Sequence, residues 1–242
     1  MQFVVATFYK IFDLSDADAK ISQEEIRTIM QQNNIKGTVL LGAHEGINGT
    51  ISGAREDVNK FYNFTQNIKA VGELDFKESL CDFNPFDKIK VKVKKEIVTM
   101  RAEGFDFLGK KGSYVDPDQW DALIAQDDVI LIDSRNDYEY HVGTFENAIN
   151  PDIENFRDFP AWLEKNKELY KDKKIATFCT GGIRCEKLTA YMAQNLEGAQ
   201  VYHLNGGILG YFLKNGNKNK KWKGHCFVFD NRIAVDDNMK PV

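Results

Sequence analysis

The segment KIATFCTGGIRCEKLTAYMAQNL, residues 174–196, constrains the fold more than any other stretch. A short apolar run breaks at two adjacent glycines and then resumes with apolar residues at helical spacing. That is the pattern of a buried strand passing through a tight loop into a helix. Strands of this kind belong to parallel sheets with helices on both faces. The neighbouring segments repeat it. VILIDS (129–134) is a second apolar strand, and a helix containing Ala161, Trp162 and Leu163 precedes KIATF. After the helix at 186–196 come a strand and turn, VYHLNGG, and a further helix, ILGYFLKN. The expected product is an α/β domain with a central parallel sheet, whose site lies on loops at the strand C-termini.

The first half has a different order, β-α-β-β-α-β. Residues 3–12 read as a strand, and Ser22, with Glu25 three residues on, reads as the N-cap of a helix ending near Gln32. GTVLLGAHEGINGTISG supplies two β-branched segments, with Asn48-Gly49 as the expected hairpin turn. A helix at 56–68 and strands at 76–80 and 89–98 complete an α+β ferredoxin-like layer. The expected organisation is a ferredoxin-like domain at 1–98, a connector at 99–121, the α/β domain at 122–222 and an extension at 223–242. The glycines of the hairpin serve turns more readily than they serve a ligand. His44 and Glu45, at its lip, are polar groups that strand packing does not require, and the polar lip runs from His44 to Asn48.

Composition narrows the class of protein. With 43% apolar residues the chain of 242 can bury a core, and wholesale disorder is excluded. No apolar run is long enough to span a membrane, and the start, MQFVVATFYKIFDL, lacks the basic region and cleavage site of a signal peptide. The four cysteines, Cys81, Cys179, Cys185 and Cys226, form neither a disulfide framework nor a C-x-x-C pair. The four histidines have no metal-ligand spacing, so no metal site and no cofactor is evident, and a cytoplasmic protein is expected.

The net charge of −4 argues against a general nucleic-acid binder, but the charges are unevenly spread. In KIKVKVKK, Lys88, Lys90, Lys92 and Lys94 alternate with Ile89, Val91 and Val93, which gives a strand one cationic face. From His203 to Phe229 there is no acidic residue, while Lys214, Lys218, Lys220, Lys221 and Lys223 fall inside. These stretches are either solvated edges that block aggregation or surfaces for a polyanion.

The chemistry is carried by CTGGIRCEK. A loop between strand and helix can turn several backbone N–H groups inward, and the helix N-terminus adds partial positive charge. Gly181 and Gly182 allow the required backbone angles, and Arg184 supplies a fixed charge. Together they favour a thiolate or persulfide at Cys179. As a loop-edge charge, Arg184 is expected to be removable without loss of folding. Cys185 is either a resolving thiol or a packing residue at the helix start.

At this point the sequence resembles the rhodanese family. IDSRNDYEYHVGTFENAINPD looks like that family's substrate-side motif, with Asp133, Arg135, Glu139, His141, Gly143, Ala148 and Asn150 at matching places. LNGGILGYF resembles its closing Gly-Gly turn and last helix. The resemblance assigns Cys179 and Arg184 to catalysis, and Thr180, Gly181, Gly182, Ile183, Arg135 and Glu139 to the loop and substrate side. The usual Gly-His-Ile stretch is replaced here by Val142-Gly143-Thr144-Phe145. Rhodanese-related phosphatases have a longer loop, whereas only residues 180–183 separate Cys179 from Arg184, a ring suited to sulfur rather than to a phosphoryl group.

Over nearly its whole length, with EGINGT in the first half and WKGHCFVFDNR after the α/β domain, the chain is similar to the bacterial tRNA uridine hydroxylase family. That resemblance implies oxygen-dependent formation of 5-hydroxyuridine at wobble uridine 34, with tRNA as partner, molecular oxygen as co-substrate and a persulfide-bearing Cys179. Lys88, Lys90, Lys92, Lys94, His44 and Asn48 would then be RNA contacts. Longer members continue past the FDNR segment into a cysteine-rich tail that looks like a metal site, while this sequence runs to Val242. Two other functions fit the residues: a sulfurtransferase that passes sulfur through Cys179, and a non-catalytic rhodanese-type binding module.

Overall fold

A computed structural model describes residues 2–68, 71–216 and 221–242. The chain forms two compact units: residues 1–97 with 229–232, and residues 98–228 with 233–242.

The first unit runs β1 (Phe3–Lys10), α1 (Asp16–Gln32), β2 (Lys36–Gly42), β3 (Gly46–Gly53), α2 (Arg55–Asn67), β4 (Phe76–Cys81) and β5 (Ile89–Lys94). The strand order is β4-β1-β3-β2-β5. The first four strands are antiparallel in the ferredoxin-like order, and β5 adds to β2 in parallel. Phe8, Ile26, Met30, Val39, Ile51 and Phe61 are fully buried in the core between sheet and helices. Three details differ from the sequence reading. Strand β5 ends at Lys94 rather than at residue 98. Helix α1 starts at Asp16, because the Ser15 side chain accepts a hydrogen bond from the Asp18 N–H, and Ser22 is buried inside the helix. The hairpin turn is at 43–45, where His44 takes φ +60°. Asn48 is inside β3, in register with Tyr9 and Leu40.

The alternation in β5 is as expected. Val91 is buried while Lys88, Lys90, Lys92 and Lys94 are exposed, with Lys90 beside Thr38 and Lys92 beside Leu40. The Val91 carbonyl is capped by the side chains of Gln23 and Arg27. The returning segment at 229–232 is clasped to this unit. Arg232 donates to Ser79 Oγ (2.8 Å) and pairs with Asp230, while the Asn231 N–H bonds to the Pro85 carbonyl.

The second unit carries β6 (Ser113–Val115), α3 (Pro117–Ile124), β7 (Val129–Asp133), α4 (Asp137–Val142), β8 (Gly143–Phe145), α5 (Phe159–Tyr170), β9 (Lys174–Phe178), α6 (Ile183–Asn195), β10 (Gln200–Leu204) and α7 (Gly207–Asn215). Three short strands follow: β11 (Trp222–Gly224), β12 (Cys226–Phe227) and β13 (Ala234–Val235). The four-stranded sheet β6-β10-β9-β7 is wholly parallel. On one face Ile132, Ile175 and Val201 pack with Leu163, Leu188 and Met192. On the other, Leu131, Ala176, Phe178 and Leu204 pack with Trp120, Tyr211 and Phe212. The stretch read as a connector contributes β6 and part of α3, and Asp106 and Lys110 hold Gln194 of α6. Among the described residues no helix is long and apolar enough to cross a membrane. Lys218 and Lys220 lie outside the described residues.

Candidate active site

Strand β9 ends at Phe178, and α6 begins four residues after Cys179. The turn between them requires Gly182, which takes φ +107° as the N-cap of α6. Its N–H points back at Cys179 Sγ, 3.1 Å away. The turn is held from below by α7. The N–H groups of Ile208 and Leu209 bond to the carbonyls of Cys179 and Thr180, each at 3.0 Å. Gly207 sits so close that a Cβ there would come within 2.5 Å of the Cys179 carbonyl oxygen. The Gly-Gly turn that looked like a family signature is therefore a packing requirement of the cysteine loop.

The arginine is fixed from another element. Glu139, on the first turn of α4, takes a two-point hydrogen bond from Arg184, with Nη1 to Oε2 at 2.6 Å and Nη2 to Oε1 at 2.7 Å. Thr180 Oγ1 donates to Glu139 and accepts from Arg184. Burial raises the Glu139 carboxyl, but Arg184, with help from Arg135 and the Asn136 N–H, brings it below its ordinary value. Arg184 is not a loop-edge charge, contrary to the sequence reading: its side chain is 8% exposed and that of Glu139 is 0%. Truncating it would strand a buried carboxylate, so folding is not expected to be indifferent to its loss. A second buried pair lies alongside. Arg135 bonds to Asp133 (2.6 Å) and to the Gly143 carbonyl, and its guanidinium lies over the rings of Phe178 and Trp222.

Burial pushes the Cys179 thiol up. The hydrogen bond from the Cys185 thiol, the charge of Arg184 and the N–H groups of Cys185 and Gly182 outweigh it, and the thiol is lowered from 9.0 to about 6. Cys185 moves the other way, raised by its own burial and by the neighbouring Cys179 charge. It stays a thiol that donates to a thiolate. Cys226 is also buried, which raises it to about 12 despite the Arg135 charge. Cys179 is thus the ionised sulfur of the unit at neutral pH, held among donors able to stabilise a thiolate.

The structure brings together Cys179, Thr180, Gly182, Arg184 and Glu139, with Gly181 and Ile183 half-buried on the loop and Arg135 in the neighbouring pair. Lys88, Lys90, Lys92, Lys94, His44 and Asn48 belong to the first unit. His44 Nδ1 is 2.6 Å from Asp13 Oδ1, and Asn48 donates to the Ile97 carbonyl. Sequence reasoning missed Ser134, whose hydroxyl is 3.4 Å from the Cys185 sulfur. The only sign of it was a polar residue ending an apolar strand.

Residues 3–97 match the UPF0176 acylphosphatase like domain, and residues 116–214 match the rhodanese-like domain. A tRNA uridine(34) hydroxylase of Legionella pneumophila (strain Paris) is 50% identical over 240 residues, which are 99% of this chain and 92% of that protein. The chain belongs to the tRNA uridine(34) hydroxylase family. A member from Wolbachia pipientis wMel is 49% identical over 242 residues, covering all of this chain and 86% of that protein. A solved rhodanese-related protein from Thermoplasma volcanium covers 42% of this chain and 92% of its own, at 24% identity and a TM-score of 0.35. Within the family's rhodanese-like domain, the loop at 179–184 is the place where a reactive sulfur can be held.

Proposed function

We propose that this chain hydroxylates uridine 34 of tRNA in the cytoplasm, as an oxidoreductase that forms 5-hydroxyuridine with molecular oxygen as co-substrate and Cys179 as the reactive sulfur. Placing one oxygen atom on the base and reducing the other to water takes two electrons from a reductant. The observation that carries the reading is a thiolate-stabilising loop at Cys179 in a chain whose whole length resembles the named hydroxylases. A sulfurtransferase or a binding module would need only the second unit.

Lys88, Lys90, Lys92 and Lys94 would contact the RNA backbone. In support, they are exposed, and among the described residues none is ion-paired, so each charge is available to a phosphate. His44 and Asn48 would contribute less, since each already has a partner within its own unit.

Mass spectrometry of tRNA nucleosides from a deletion strain tests the reading. Wild-type complementation should restore 5-hydroxyuridine and Cys179→Ala should not. Full restoration by Cys179→Ala would favour the binding module instead.

A further inference from the structure

Beneath α6 three buried polar side chains make no hydrogen bond: Thr177 through Oγ1, Thr189 through Oγ1, and His203 through both ring nitrogens. Thr177 and His203 are in register across β9 and β10. They alternate with residues of the opposite core, so both point to the α6 side. Thr189 is one helical turn beyond Cys185 and shares its buried side of α6. His203 is only 1% exposed.

The two ends of this group differ. At one end is Cys185, hydrogen-bonded to Cys179, with the Thr177 hydroxyl near its sulfur but outside ordinary hydrogen-bond geometry. At the other end is Glu186, which accepts from Tyr114 Oη (2.8 Å) and Lys111 Nζ (3.3 Å). The Tyr114 and His203 rings are 4.3 Å apart, and Tyr114 is 52% exposed, so this end reaches solvent. Lys187 is turned away, with its Nζ on the Val98 carbonyl.

An unpaired buried polar group is costly, and native proteins leave few of them. Where several unpaired groups are neighbours, ordered water is their usual partner. Cys185 is 0% exposed, so its sulfur cannot exchange its proton directly with bulk water. We propose that Thr177, Thr189 and His203 hold a short chain of buried water beneath α6, and that this chain carries protons between the Cys179–Cys185 pair and the Tyr114–Glu186–Lys111 cluster. When the Cys179 thiolate is protonated, Cys185 gives its hydrogen to Cys179 and takes one from the adjacent water. That water is resupplied through His203, which accepts a proton on one ring nitrogen and releases one from the other. One proton enters at the Glu186 end, and no other bond changes. His203 suits a relay that does not store charge: burial lowers its affinity for a proton, Glu186 opposes that and Lys111 adds to it. The relay serves Cys179 whatever its substrate, so its failure is separable from failure of the hydroxylase reading.

The test follows S–H to S–D exchange of the full chain in heavy water by infrared spectroscopy. The Cys185 band is identified by its loss in Cys185→Ala, and buried Cys226 serves as the internal control. Cys185 should exchange much faster than Cys226. His203→Phe should slow Cys185 by roughly tenfold or more and leave Cys226 unchanged. Thr177→Val, which removes one hydroxyl at constant shape, should slow it in the same direction and decides the matter if His203→Phe does not fold. A high-resolution crystal structure should show ordered water between Thr177 and His203. A dry seam, wild-type Cys185 as slow as Cys226, or rates unmoved by the substitutions would overturn the proposal.

Discussion

Replacing Cys185 with alanine should raise the Cys179 thiol above its value of about 6. Burial works against the thiolate, and the Cys185 side chain is the largest influence working for it, ahead of Arg184 and the two backbone N–H groups. Alanine removes only that side-chain donor and keeps the residue 185 N–H. A hydrogen bond to a charged group contributes about 1.5–3 kcal/mol. At about 1.36 kcal/mol per pKa unit, the expected rise is about 1–2 units. The pH dependence of iodoacetamide alkylation at Cys179, mapped by peptide mass, reads the midpoint directly. Cys185→Ser retains a donor and should stay close to the wild type. An unmoved midpoint in Cys185→Ala would mean that Arg184 and the backbone alone hold the thiolate, and the reasoning fails. Stability supplies a second check with a fixed sign. The folded value lies below the unfolded one of about 8.5, so the thiolate's contribution is present above the unfolded value and lost as pH falls through about 6. The stability difference between wild type and Cys185→Ala should therefore shrink as pH falls through that window. It is best measured below about pH 8.5, where Cys185 stays a thiol in both states.

Arg184→Ala should lower stability by about 3–5 kcal/mol in urea denaturation, because Glu139 is left charged and buried; Arg184→Lys should recover part of this, lacking the planar fork. A loss within experimental error would show that the pair is already solvated. Lys90→Glu with Lys92→Glu should weaken tRNA binding and flatten its salt dependence by roughly one counterion per lost phosphate contact. An unchanged slope would return the strand to the role of a solvated edge. A fragment starting at residue 121 should show no cooperative unfolding, since it lacks β6 and the fully buried Trp120. A sharp thermal transition in that fragment would show these elements to be dispensable.

The parts of the fold that were legible in the sequence are those carried by local pattern. The lysine alternation at 88–94 exposes its charges and buries Val91, as a period of two requires. The strand, glycine and helix order at 174–195 places Cys179 on a strand-end loop. What was misread involved a choice between equivalent local signals. Ser15 and Ser22 are both good caps, and the helix starts at the first because Leu14, just before it, is buried in the core. Asn48-Gly49 is a good turn dipeptide, but the strands pair fully through it and the chain reverses at His44.

The site itself was half legible, for a physical reason. Cys179, Gly182 and Arg184 are neighbours in the chain, and what glycine and arginine do for a thiol can be argued from composition. Glu139 acts from another helix, and no spacing rule says that its carboxylate closes on Arg184 rather than facing solvent. Cys185 is the sharper case. At six residues from Cys179 it is neither a helical neighbour nor a strand neighbour, and the sulfurs meet only because Gly182 takes a positive φ that folds the loop back over the start of α6. The same fold-back buries both sulfurs, and burial alone would keep Cys179 protonated. The donors must therefore come from inside the loop, from its N–H groups and from a second thiol too buried to ionise itself. A Cys185 too buried to ionise is thus what lets Cys179 ionise: it packs at the helix start and donates its S–H from there, a role distinct from that of a resolving thiol.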